Sequence, residues 1–504
     1  LLICQLEEKI SEGGVSLIMP KKNWLKIGLL FTLAITPVLV LTGFNCETSA
    51  ATEEITIDQY EVTVNENFYV PATGNNNDSF PKGFPTGYGS GLTFKSFNHD
   101  GSMEFYGLTD RGPNGDGPIY LNDGREYPTK FFPTPQFVPQ IGVINIKDGQ
   151  VKVVDRITIK DYNGNPISGL PLEPGQIGSS EEIPISETGY RFAYDENGLD
   201  PEGIARDQQG NFWICDEYGP FIVKLSRNGY ILKKYLPGRN LPAVLKFRQP
   251  NRGFEAITIA PNGKIYVAVQ STLDINGKTK NSAQLIRIVE LNPLNGATRM
   301  FAYPLDSEAY QKNSAAKIGD MCAISNNQII LVEQGNGKTG IRNILYMLDL
   351  TQATDITNLQ VKGQELEFVK DLGNVKDLKL VVKQKILDLR EYGWTAEKAE
   401  GLTVLNDNRT IVVVNDNDFG LTMQVSDKLN TNPTEIGKYR MNQERLFTYN
   451  GQPAQPKFKT VPLNPGDSKT VMWLIKMPIN LTKLLMTPKF KKTCLIHPKR
   501  LFLK

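Results

Sequence analysis

Four segments of the chain repeat one arrangement of polar residues around a pair of short strands. Each opens on an acid, runs into a strand, turns at Asn or Gly, and closes a second strand on polar residues. Residues 199–229 open at Glu202 and close at Asp216-Glu217, and residues 252–271 open at Glu255 and close at Gln270. Residues 317–336 run from Asp320 to Glu333, and residues 399–420 run from Glu400 to Asn415, followed by Asp416 and Asp418. A looser copy at residues 88–115 ends on Asp110-Arg111. The steps from opening acid to closing residue are 14, 15, 13 and 15, so the repeat keeps its register.

If these strands surround one axis, Glu202, Glu255, Asp320 and Glu400 meet around it, with Asp110, Asp216, Glu217, Glu333, Asp416 and Asp418 at the other strand ends. Convergent carboxylates repel unless something positive sits among them. Oxygen ligands without imidazole or thiolate select calcium, and magnesium less readily. The expected ligands are Glu202, Asp216, Glu217, Glu255, Glu400, Asn415 and Asp418. Calcium held there would polarise a phosphoryl or carbonyl oxygen. The expected catalytic set is Glu202 or Glu255 as general base, with Asp110 and Arg111. Arg111, Arg206, Arg252 and Lys264 would complement an anionic substrate. The competing reading is plainer: such acids cap strands and bond turn backbones, and the chain is a binding propeller of the cell envelope.

Other chemistries lack their residues. The chain has two histidines, His99 and His497, so a Ser-His-Asp triad or a His-rich metal site would rest on His99 alone. Walker, dinucleotide and nucleophile-elbow motifs are absent. Cys215, Cys322 and Cys494 form neither a disulfide framework nor a zinc spacing, and Cys215 reads as a buried apolar residue. A net charge of +2 with 22% charged residues gives no reason to expect nucleic acid.

Strand pairs recurring with turns between them indicate an all-β propeller, with six blades expected and five or seven as alternatives. The alternating residues 52–70 are expected to close the ring by joining the last blade, whose final strand is 471–476. Residues 141–159 read as the outer hairpin of the first blade, and residues 161–198 as a long rim or lid. Leu378, Val381, Val382, Ile386 and Leu389 recur at helical spacing, so a helix is expected within residues 374–398.

The ends read differently. From Met19 a basic stretch, an apolar run at residues 27–41 and Thr48-Ser49-Ala50 have the layout of an export signal. Residues 1–18 fit no part of it and read as preceding the true start. The expected division is a signal at 19–50, a propeller at 51–477 and a basic tail at 478–504. The protein is expected in the periplasm or outside the cell, with an uncleaved N-terminal anchor as the alternative. The tail, rich in Lys and Arg without an acid, reads as a frayed end or a contact with an anionic envelope surface.

The segments DRGPN (110–114), LDPEGIA (199–205), DEYGP (216–220), GFEAIT (253–258), AEGLTV (399–404) and NDNDFG (415–420) together resemble the phytase-like family, described by the esterase-like activity of phytase. The resemblance spans roughly residues 80–477. It implies a β-propeller and phosphoester hydrolysis of a small anionic or ester substrate. Matched motif by motif, it points to Asp110, Arg111, Glu202, Asp216, Glu217, Glu255, Glu400, Asn415 and Asp418. The chain has no run of basic residues suited to a polyphosphorylated inositol, and a lactonase-like propeller is a further alternative.

Overall fold

Short apolar strands separated by Gly and Asn turns pair with their sequence neighbours, and the computed structural model of the chain has that local topology throughout. It describes residues 54–73, 76, 78–430 and 435–486. The signal and upstream expectations at residues 1–50 lie outside these residues, as does most of the basic tail.

Three four-stranded antiparallel sheets and one eight-stranded sheet, which a parallel pair divides into two four-stranded antiparallel halves, make up five blades. Blade one comprises Gly91–Phe97, Met103–Leu108, Gln140–Lys147 and Gln150–Thr158. Blade two comprises Pro201–Arg206, Phe212–Asp216, Phe221–Leu225 and Ile231–Tyr235, and blade three Phe254–Ile259, Ile265–Val269, Leu285–Leu291 and Thr298–Pro304. Blade four comprises Ala316–Ala323, Gln328–Gly337, Gly340–Asp349 and Val382–Asp388. Blade five combines Gly401–Val404, Thr410–Val414 and Val471–Lys476 with the N-terminal strand Thr56–Val64. The first strand of each blade packs against the first strand of the next, and that of blade five returns to blade one. This closed cycle is the layout of a propeller with five blades; the expected six is corrected.

The N-terminal strand closes the ring as its alternation suggested. Thr56 to Glu61 pair antiparallel with Lys476 to Val471, and Val62 to Val64 pair parallel with Val151 to Val153 of blade one. The expected helix within 374–398 is also corrected. Val382–Asp388 is the outer strand of blade four, flanked by short 3-10 turns at Leu372–Asn374 and Leu389–Tyr392. The apolar spacing arises because Ile386, Leu387 and Leu389 fill the core between blades four and five with Trp394 and Trp473. The start of the basic tail is docked: Leu481 and Leu484 are buried in the same core. Among the described residues, no helix is long and apolar enough to cross a membrane.

Three insertions build a second layer at one end of the ring. They form a sheet of Ile183–Ile185, Thr129–Phe131 and Gly115–Asp116, a pair Leu421–Asp427 with Pro456–Pro462, and a five-stranded sheet around Tyr439–Met441 and Ile119–Asn122. These share one apolar core that includes Tyr120, Phe131, Ile185, Tyr439, Met441 and Phe458.

Candidate functional site

Antiparallel pairing within each blade puts the opening acid and the closing residue of the repeat at the same end of the ring. Pro201 faces Asp216, Phe254 faces Val269, and Gly401 faces Val414. The pairing skips one residue at Glu202 and one at Glu255, and it skips Gly319-Asp320 in blade four. Each skip is a β-bulge, and a bulge re-aims the side chain it frees. Glu202 and Glu255 thereby line a cavity of about 360 Å³ at this end of the ring, with Glu400 from the residue preceding blade five. Glycine permits the close approach beneath them. A Cβ on Gly319 would lie 2.2 Å from the Ala399 carbonyl oxygen, and one on Gly253 would lie 2.2 Å from the Glu217 carbonyl oxygen.

The cavity is lined by ten carboxylates and five cations. Single oxygens of Asp200, Glu202 and Glu217 lie within 4.8 Å of one another, as do those of Glu202, Glu255 and Glu400. Glu202 belongs to both groups. Gln270 Nε2 donates to Glu217 Oε1 at 2.6 Å and to Glu255 Oε2 at 2.8 Å, so one amide links two carboxylates. Gln334 Nε2 donates to Glu400 Oε1 at 3.2 Å. Lys398 Nζ bonds Asp416 Oδ2 and Asp418 Oδ1, both at 2.8 Å, and lies 3.6 Å from Glu400. Arg111 donates to Glu182 at 3.1 Å and to Asn251 at 2.9 Å, and its Nε lies 3.3 Å from Asp200 Oδ2. Arg111 is thus held by the wall of the cavity. Lys317, by contrast, reaches the lining without an ion-pair partner among the described residues.

Burial first, and mutual repulsion second, push Asp110, Glu202 and Glu255 well above the usual carboxylate range. The same burial, with Asp200 nearby, lifts Glu217 to about 8 against the pull of Arg111 and Lys317. Burial lifts Asp416 to about 7, with Lys398 opposing. Burial thus favours the neutral forms of these groups, and a divalent ion would compete with protons for the same oxygens.

Of the residues expected from sequence, Asp110, Arg111, Glu202, Glu217, Glu255, Glu400 and Asp418 line the cavity. Asp216 and Asn415 do not. Asp216 accepts from the backbone N–H of Asp200 at 2.8 Å and of Gly219 at 2.7 Å, so its carboxylate caps a turn. Asn415 accepts from Val471 N at 2.6 Å and donates to the carbonyls of Asp416 and Lys469. Asp320 lies outside the lining, bonded to the backbone N–H groups of Met321 and Leu402. Arg206 stacks over Tyr106, Lys264 pairs with Glu290, and the exposed His99 lies away from the cavity. Asp200, Gln270, Lys317 and Lys398 were not chosen as site residues from sequence. The available signal was the i, i+2 spacing of Asp200 with Glu202 and of Lys398 with Glu400. Both expected cysteines, Cys215 and Cys322, are free thiols.

Similar proteins extend this description. A crystal structure of virginiamycin B lyase from Staphylococcus aureus matches with 12% identity and a TM-score of 0.27, covering 71% of this chain and 96% of that one. A crystal structure of a protein from Lactobacillus plantarum matches with 9% identity and a TM-score of 0.29, covering 77% and 98%. Scores this low carry no argument, and the fold stands on its own topology. An uncharacterized secreted protein of Arthroderma benhamiae is 28% identical over 242 residues, 38% of this chain and 46% of that relative. The chain thus spans about half the length of the relative it matches. The model of one family matches residues 85–419, from the loop before blade one to the acidic turn that closes the cavity. By that match the chain belongs to the phytase-like family, the group described by the esterase-like activity of phytase.

Proposed function

We propose that this protein is an exported hydrolase of phosphate esters or related esters, working with a divalent cation, calcium by preference, at the axial carboxylates. The observation that carries this reading is a cavity in which carboxylates outnumber cations two to one around the buried Glu202, whose carboxylate no hydrogen bond or ion pair engages among the described residues. Family membership favours hydrolysis, and the secreted relative accords with export.

Glu202, Glu255 and Glu400, with Asp200 and Glu217, fit an oxygen-preferring ion in donor type and spacing. Such an ion supplies Lewis acidity toward the ester. The protein's own groups do the rest. Glu255, held by Gln270, accepts the proton of the attacking water. Asp110, anchored through one oxygen to Gly112 N at 2.7 Å, keeps a proton for the departing alcohol. Lys317 and Arg252 draw a small anionic substrate into the cavity. An anionic envelope surface met by the basic residues after Pro478 belongs to the same proposal.

The test is hydrolysis of p-nitrophenyl phosphate and p-nitrophenyl acetate with calcium and after chelation. Turnover should disappear with chelator and return with calcium. Glu255→Gln should lower kcat by about 10²–10⁴-fold, the range of general acid–base catalysis. Full activity in Glu202→Gln and Glu255→Gln together would overturn the assignment. Bound calcium without turnover of either ester would leave a binding propeller.

A further inference from the structure

We infer that the cavity holds two divalent cations, with Glu202 as the carboxylate shared between them. One ion lies with Asp200, Glu202 and Glu217, and the other with Glu202, Glu255 and Glu400. The inference rests on the reading of this cavity as a cation site and adds its stoichiometry and division.

Three observations carry it. First, the five acids fall into two groups that share a single member, and each group alone has spacings suited to one ion. Calcium–oxygen distances of about 2.3–2.6 Å leave ligand oxygens no more than about 5 Å apart around one centre. Second, Gln270 keeps the halves separate, because its Nε2 occupies the space between Glu217 and Glu255. Third, two buried polar groups of the lining lack partners. Glu202 is 8% exposed, its neighbours are acids, and no donor engages its carboxylate among the described residues. Gln270 is 4% exposed, and its Oε1 has no hydrogen bond although its nitrogen has two.

Charge argues for the same number. Ten carboxylates and five cations leave the lining five negative charges in excess when all are ionised, and four when Asp110 keeps its proton. One divalent ion offsets two of these, and two ions offset four. Isolated buried charge is too costly to leave unpaired. A carboxylate has two oxygens and can give one to each ion, as bridging carboxylates in two-metal sites do.

The experiment is calcium chloride titration of the full chain after removal of divalent ions, followed by calorimetry and native mass spectrometry. Two equivalents per chain are expected. Glu217→Gln and Glu400→Gln should each keep one, and Glu202→Gln should weaken both by at least tenfold. Far-UV circular dichroism establishes that each variant is folded; if one is not, Glu217→Asp or Glu400→Asp replaces it, with the same expected loss of one ion. A single equivalent in the wild type overturns the two-ion inference and leaves one cation for a hydrolase. Loss of all binding in both single variants overturns the division as well. No calcium binding at all overturns this inference together with the cofactor of the proposed function. Two ions without ester turnover support the inference and overturn the hydrolase.

Discussion

Glu202 and Asp216 stand 14 residues apart in one repeat, carry the same functional group, and do opposite work. Glu202 is the skipped residue of a bulge and faces the cavity, whereas Asp216 is paired in its strand and turns its oxygens onto two backbone N–H groups. Composition could not tell them apart, because the difference is one residue of register. Asp216→Ala should therefore cost about 1–3 kcal/mol, the penalty for stranding buried donors, as read by chemical denaturation. Away from the cavity, Glu290 tests pH dependence. Burial opposes its charge, but hydrogen bonds from Arg299, Lys264 and Tyr266 outweigh that and hold its pKa below the usual carboxylate range. A depressed folded pKa gives stability that is present above the unfolded value of about 4.3 and lost as pH falls through the folded one. Glu290→Gln should lower Tm at pH 7, and the gap from wild type should close on acidification. An equal gap at pH 7 and at the acid end would refute the assignment.

The strand pairs themselves were legible, because alternation and Asn/Gly turns are local signals. The blade count was not. The outer strand of blade four comes from residues 382–388, more than thirty residues after its neighbour Gly340–Asp349, and its apolar spacing imitates a helix. The intervening chain is pinned elsewhere: Arg287, fully buried in blade three, bonds Glu367 at 2.7 and 2.8 Å and Glu365 at 2.8 Å. No sequence pattern announces that detour. Close approach between elements was equally silent. Gly319→Ala would force blades four and five apart at Ala399, next to Glu400. The expected result is about 1–3 kcal/mol of lost stability, the usual cost of overpacking, with weaker calcium binding in the same titration. Unchanged binding would detach Glu400 from the blade contact.

The ring as a whole carries the axial acids as a cost to folding, since desolvation raises the free energy of each charge. Calcium bound only by the folded form would return about 2.7 kcal/mol at a hundred times its dissociation constant. Chelation should thus lower Tm by several degrees, and excess calcium should restore it; a Tm indifferent to both would mean that the acids are satisfied without an ion. The closing strand adds a constraint of another sort. Thr56–Val64 lies early in the chain, yet its antiparallel partner, Val471–Lys476, lies some four hundred residues later. During synthesis this strand keeps an unpaired edge until residues 471–476 have been made. The ring therefore locks only once that late segment is in place, and the waiting edge is where premature pairing with another chain would lower the yield of folded protein.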